Sequence, residues 1–398
     1  MAHDQHSHEI INPGTFEIST GLRTLLFLFV VIGAATFGAA LSLDPTRAWT
    51  SFITNHFYFM MLGVGGIFFA ALQWLTGAMW SAPVRRLSES FSAYLPFALV
   101  SFIILYFGMN HLYSWTHVTK GDLVLEGKAG YLNVTFFMIR NIIALGLWII
   151  LARKMVFNST AQDTTKDYKY SLKNRVLAPA FILIFGVTFT MASFDQMMSL
   201  DPHWYSTMFG VYCFAGLFYS TLALTCLLTL FLKGRGRLEG IINENHLHDL
   251  GKFMFAFTIF WAYIGFSQFM LIWYANLPEE TEYFIRRMQG GWGCVSLFLL
   301  IGKFMLPFFF LLPRDAKRNE KILAGVGVFM MIAQMVDVMW MVQPEFYADG
   351  PRFGLVEIGM TLGFIGIFGL LVSRFLGKYN IVAIGDPRIA ESIHHHHQ

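Results

Sequence analysis

Residues 205–232 read YSTMFGVYCFAGLFYSTLALTCLLTLFL, without one acidic or basic side chain. A helix needs roughly 20 mostly apolar residues to cross a bilayer, and this block exceeds that. Its apolar positions neither alternate like a strand nor keep the one-sided spacing of a surface helix. Nine further blocks of the same kind lie on either side. The predicted spans are Thr24–Ser42, Ile53–Gly77, Phe91–His111, Tyr131–Leu151, Leu177–Asp195, Tyr205–Leu232, Leu250–Trp273, Gly291–Leu312, Leu323–Met341 and Val356–Ser373. The runs are too long, and alternate too little, for a β-barrel. The expected class is an all-α polytopic membrane protein of about ten helices.

Composition supports the same reading. The 398 residues include 28 Lys+Arg and 25 Asp+Glu, so 13% are charged, while 56% are hydrophobic and 42 are Phe. Soluble domains carry about 25% charged residues. A disordered chain and an ordinary soluble enzyme are therefore excluded. A net charge of +3 spread over this length is no field for nucleic acid.

The basic residues between spans set an orientation by the positive-inside rule. Nineteen fall on the side of the N-terminus, among them Arg85, Arg86, Arg153, Arg235, Arg314 and Arg388; six fall on the other, and Arg140, Lys252 and Lys303 lie within spans. This predicts both termini in the cytoplasm. The segment before the first span (His3, Asp4, His6, His8, Glu9, Glu17) is not the basic region of a signal peptide, so that span is read as retained. The His394–His397 run resembles a tag remnant and is left out of the chemistry.

Cys213, Cys226 and Cys294 show no C-x-x-C or clustered spacing, so no thiolate metal or iron–sulfur site is expected in this chain. There is no P-loop and no nucleophile elbow.

An internal repeat organises the spans. HFYFMMLGV (56–64) and HWYSTMFGV (203–211) share His, Tyr, Met, Gly and Val in register. Asp195-Gln-Met and Asp337-Val-Met each precede a proline by seven residues, Pro202 and Pro344. Spans two to five thus pair with spans six to nine. The even offset predicts two four-helix bundles running the same way through the membrane. The expected segments are an N-terminal piece (1–23), the first span and its loop (24–52), two bundles (53–202 and 203–344), and a last span with its tail (345–398).

Ionisable groups inside spans are costly, so each is a candidate site residue. His56, His111, Asp195, His203, Asp337 and Glu357 gather toward the non-cytoplasmic end, where six of the ten tryptophans also lie. Each has a plainer reading. His56 and His203 could belong to an interfacial aromatic belt, Asp195 and Asp337 could accept hydrogen bonds within their bundles, and Glu357 could be an interface group. Arg140 lies near the middle of span four, while Lys252 and Lys303 are placed toward cytoplasmic ends, where snorkelling is the plainer account. Together they outline a proton path through Arg140, Lys252, Lys303, Asp337 and Glu357, with structural ion pairs as its competitor.

Two chemistries fit His and carboxylate under an aromatic belt. A quinol needs acceptors for its hydroxyl protons in an apolar pocket, for which His56, His111, Asp195 and His203 are the candidates. A b-type haem held by His56 and His111 is the lower-ranked alternative.

Two stretches carry a family resemblance: SFDQMMSLDPHWYSTMFGV (193–211) and HDLGKFMFAFTIFWAYIGFSQFMLIWYANLPEE (248–280), joined by Asp386-Pro387-Arg388 near the end. They resemble the membrane subunits of bacterial alternative complex III, similar to the wider NrfD and polysulfide-reductase membrane-anchor family. The resemblance covers nearly the whole chain. It implies a quinol-oxidising respiratory complex in the inner membrane, with a paralogous ten-span subunit, a periplasmic iron–sulfur subunit and c-type cytochrome subunits as partners. Haem c and iron–sulfur clusters would sit in those partners, menaquinol or ubiquinol would come from the quinol pool, and this chain would hold no redox metal. The compact length resembles the ActF-like subunit, in which proton transfer rather than quinol binding is the implied role. The competing classes are a standalone secondary transporter and a purely structural anchor.

Overall fold

The computed structural model describes residues 12–117 and 121–393. The N-terminal histidines, Lys120 and the His394–His397 run lie outside the described residues. Among the described residues there is no strand, and ten helices are long and apolar enough to cross a membrane. They are span 1 (Thr20–Leu43), span 2 (Pro45–Thr76), span 3 (Ala82–Leu112), span 4 (Val134–Thr165), span 5 (Lys169–Leu200), span 6 (Phe209–Lys233), span 7 (Glu244–Ala275), span 8 (Trp292–Leu311), span 9 (Glu320–Glu345) and span 10 (Leu355–Lys378). The chain is a multi-pass, all-α membrane protein.

Spans 2 to 5 close a ring: span 2 packs on span 3, span 3 on span 4, span 4 on span 5 and span 5 back on span 2. Spans 6 to 9 close a second ring in the same order. The rings meet along spans 2 and 6, where Gly65 lies against Leu217 and Thr221, so closely that a Cβ would collide with the Thr221 hydroxyl. Spans 1 and 10 pair outside the rings and rest on span 2. Gly33 faces Gly359 and Gly363 there, and small residues of this kind let helix backbones approach closely in lipid. The terminal segments meet on one face, through Phe16 N–H to Leu376 O (2.9 Å) and Ile381 N–H to Gly14 O (3.0 Å). We call this the termini face and the opposite one the far face.

One boundary differs from the sequence expectation in a way that matters. Span 2 begins at Pro45 rather than Ile53, with Asp44 as its N-cap, accepting from Arg47 N–H. The polar run Thr46–Asn55 is helical because its side chains turn inward. Thr54 Oγ1 donates to Thr50 O (2.8 Å) and Asn55 Nδ2 to Ser51 O (2.9 Å). Polarity satisfied by the helix's own backbone does not forbid membrane depth. His56 therefore lies well inside the helix and is fully buried, not at the interface.

On the far face, a short helix (Pro278–Met288) joins spans 7 and 8. Trp204, from the loop before span 6, stacks on its Tyr283 with ring centroids 3.7 Å apart.

Candidate functional site

In each ring a buried base on the third helix pairs with a buried acid on the fourth. In the second ring Lys303 on span 8 meets Asp337 on span 9, with Nζ 2.5 Å from the carboxylate, and neither is accessible to solvent. Lys303 also donates to Gln334 Oε1 (2.6 Å), and its ammonium lies 4.1 Å from the centre of the Trp261 ring. The other carboxylate oxygen of Asp337 accepts from the Tyr212 hydroxyl of span 6 (2.5 Å). All four helices of the ring therefore touch this group. Span 8 departs from α-geometry here: Leu299–Met305 is a π-helical segment, and Lys303 sits in it. Such interruptions recur at functional sites.

In the first ring Arg140 on span 4 grips Asp195 on span 5 with two parallel bonds, Nε to Oδ2 (3.1 Å) and Nη2 to Oδ1 (2.7 Å). Its Nη1 donates to Tyr131 O (3.0 Å), and the guanidinium lies 3.8 Å from the Tyr131 ring centre and 4.1 Å from that of Phe136. Asn141 Nδ2 donates to Asp195 (3.0 Å) and is itself fixed by Gln196, whose Nε2 donates to Asn141 Oδ1 (2.8 Å). A forked guanidinium between a carboxylate and two rings is close to fully satisfied.

The other sequence candidates are not gathered with these pairs. His56 Nδ1 lies 2.7 Å from Ser101 Oγ of span 3, and among the described residues its Nε2 has no hydrogen bond. His111 is exposed and lines a polar far-face cleft of about 430 Å3 with Asp201, His203, Arg286 and Glu345. His203 Nε2 lies 2.7 Å from Asp122 Oδ2, and this bond leads the effects holding the half-buried Asp122 carboxyl below its usual range. His56 and His111 thus occupy different environments, one a helix interface and the other a surface cleft, rather than facing each other as haem ligands would. Glu357 is held by Arg47 through two bonds of 2.8 Å, which tie span 10 to the start of span 2.

Two placements correct the proposed path. Lys303 does not snorkel toward an end, because a carboxylate on the neighbouring helix offers its ammonium a partner in the interior. Lys252 stays outside both pairs: its half-exposed side chain meets Asp249 one turn away (2.5 Å). No chain of hydrogen bonds among the described residues links Arg140 to Lys303, so the two pairs are separate sites.

Sequence reasoning counted Arg85 and Arg86 only as orientation signals, and Arg388 as one of these and as part of the Asp386-Pro387-Arg388 resemblance. On the termini face they form a buried clamp. Arg85 Nη2 meets Asp386 (2.5 Å), Arg388 meets the same carboxylate (3.0 Å), and Arg86 meets Asp163 (2.8 Å) and Glu89 (3.1 Å). Burial pushes the Asp386 carboxyl up, but Arg85 and Arg388 outweigh it and hold the group below the usual carboxylate range. The spacing Arg85-Arg86-x-x-Glu89 was the available signal. On the far face Arg286 bridges Asp201 (3.1 Å) of the first ring's last loop to Glu345 of the second ring.

Compared with descriptions of known protein families the chain matches none, and no curated protein matches it either.

Proposed function

We propose that this chain is a proton-handling membrane subunit of a quinol-oxidising respiratory complex. The observation that carries the reading is the Lys303–Asp337–Tyr212 group in the second ring. A proton passing from the Lys303 ammonium to the Asp337 carboxylate turns a buried ion pair into a neutral amine and acid. Neutral forms are favoured by an apolar surrounding, so the two states lie closer in energy than they would in water. Tyr212 can hydrogen-bond to the carboxylate in its charged form and turn away when it is protonated. Arg140 has no such second state, since a guanidinium keeps its proton in proteins.

The family resemblance supplies the setting. The complex would lie in the bacterial inner membrane with both termini of this chain in the cytoplasm, as the 19-to-6 bias of basic residues supports. The paralogous ten-span subunit, the periplasmic iron–sulfur subunit and the c-type cytochromes would be its partners, and haem c and iron–sulfur clusters would reside in them. Menaquinol or ubiquinol would be the reductant.

Purification in mild detergent tests this. Co-migration with haem and iron–sulfur absorbance, together with loss of proton release on Asp337→Asn, is the expected result. An isolated, colourless chain that moves a solute would replace the reading with a secondary transporter. An intact complex indifferent to Asp337→Asn would leave a structural anchor.

A further inference from the structure

We propose that the outward-facing groove between spans 4 and 5, at the termini face, binds an anionic phospholipid, with its phosphate on Lys154 and Lys173 and an acyl chain along the groove. This site is independent of the function proposed above. The groove encloses about 510 Å3 and is lined by Phe157, Leu172, Val176 and Leu177 beside the two lysines. Phe157, Leu172 and Val176 are exposed, so the wall on which a chain would lie already faces outward.

The local sequence explains why a groove forms here. Only residues 166–168 separate the two helices, which therefore run side by side as a hairpin. Two amide contacts fix their spacing: Asn158 Nδ2 donates to Asn174 Oδ1 (2.9 Å), and Gln162 Nε2 donates to Ser171 Oγ (2.7 Å). Asn174 Nδ2 donates in turn to Met155 O (3.1 Å). These buried groups satisfy one another within the hairpin and give the groove a fixed floor. Asn158 is level with Asn174, so Lys154 is set a little more than one turn deeper than Lys173, roughly 7 Å. A headgroup seated there meets one cation from each helix.

Charge decides the class of lipid. Residues 151–180 carry six bases and two acids. Both acids are committed elsewhere, Asp163 to Arg86 (2.8 Å) and Asp167 to Lys169 (2.6 Å). Among the described residues the Lys154 and Lys173 ammonium groups have no hydrogen bond or ion pair, and Lys173 has only the Tyr170 ring, 5.2 Å away. Snorkelling alone would bring such lysines to any headgroup. A preformed groove with two uncommitted cations favours a net negative one, since a zwitterionic headgroup brings its own cation. The second ring repeats the arrangement. Between spans 8 and 9, at the same end, lies a smaller groove of about 290 Å3, lined by Pro307, Phe310 and Phe329 with Lys321 as its one cation. The cavity between spans 2, 9 and 10, about 500 Å3, has no basic residue on its wall and suits hydrocarbon alone.

Photolabelling of the purified protein, with whatever subunits accompany it, by phosphatidylglycerol carrying a diazirine on one acyl chain tests the site, read by mapping the labelled peptides. We expect label within residues 153–177, displaced by unlabelled phosphatidylglycerol and not by phosphatidylcholine. Lys154→Gln combined with Lys173→Gln should lower that label roughly thirtyfold, since each lysine near a membrane surface contributes about fivefold. Lys154→Arg combined with Lys173→Arg should keep it, which separates lost charge from lost structure. Lys321→Gln should leave it unchanged and lower only the weaker label between spans 8 and 9. Displacement by phosphatidylcholine as effective as by phosphatidylglycerol, label spread evenly over the outer faces of the spans, or label unchanged in the double Gln variant would overturn the proposal.

Discussion

The two rings solve the same problem with different bases. In each, the third helix supplies a buried cation to an aspartate on the fourth, and the two aspartates correspond through the internal repeat. Arg140 holds Asp195 with a bidentate fork, two ring faces and a backbone carbonyl. Lys303 holds Asp337 by a point contact within a π-helical segment, with Tyr212 as a third participant. Arginine offers geometry and a permanent charge; lysine offers a proton that can leave. On the proposed function the first pair holds helices together and the second handles the proton, although the repeat treats the two aspartates alike.

The largest expected effect tests the structural half of this contrast. Arg140→Met leaves a buried carboxylate without its cation and should cost about 3–5 kcal/mol, as breaking one side of a buried pair does. Thermal unfolding of the detergent-solubilised protein reads it. A variant as stable as the parent would show that the first pair holds nothing together. Tyr212→Phe removes one hydrogen bond to a charged carboxylate, and a loss of roughly 1.5–3 kcal/mol is expected. Because this residue holds the Asp337 carboxylate, the same variant should also slow proton release; an effect on stability alone would cut Tyr212 out of the chemistry.

The termini-face clamp supplies a smaller effect with a defined sign. The Asp386 carboxyl is held below its usual range when folded, so its contribution to stability is fully present above the unfolded value, near 3.9. It is lost as pH falls through the folded value. Acid should therefore free the C-terminal tail from Arg85, and Asp386→Asn should abolish that step in limited proteolysis across pH 2–5. Persistence of the step in Asp386→Asn would place the acid sensitivity elsewhere. The smallest effect is expected at His203, whose bond to Asp122 is exposed and screened by salt. His203→Ala should leave unfolding temperature and quinol oxidation unchanged; a loss of oxidation would restore the far-face histidines as substrate ligands.

Much of this was legible before any coordinates. Ten spans follow from apolar blocks that admit no other solvent, and the Asp195/Asp337 correspondence marks the two acids that pair with Arg140 and Lys303. Arg140 stands out as a charged group near the middle of a span, but the sequence leaves a proton path and an ion pair both open. The bases were harder to place. Lys303 reads as a snorkelling side chain because its partner lies on another helix and because the π segment that aims it leaves no mark on composition. His56 reads as the start of its span because the apolar block opens only at Ile53, whereas the helix begins at Pro45 and its Thr and Asn side chains satisfy themselves on their own backbone.

The contrast between the rings comes down to whether the lysine's proton is used. Reconstituting the complex in vesicles and measuring proton movement per quinol oxidised, for Lys303→Arg beside Arg140→Lys, tests this most directly. Both substitutions keep a cation against the aspartate. The account predicts that Lys303→Arg loses proton transfer by at least about a hundredfold, the scale of a general acid–base group, while Arg140→Lys retains it. Equal retention in both variants, or loss confined to Arg140→Lys, would contradict it.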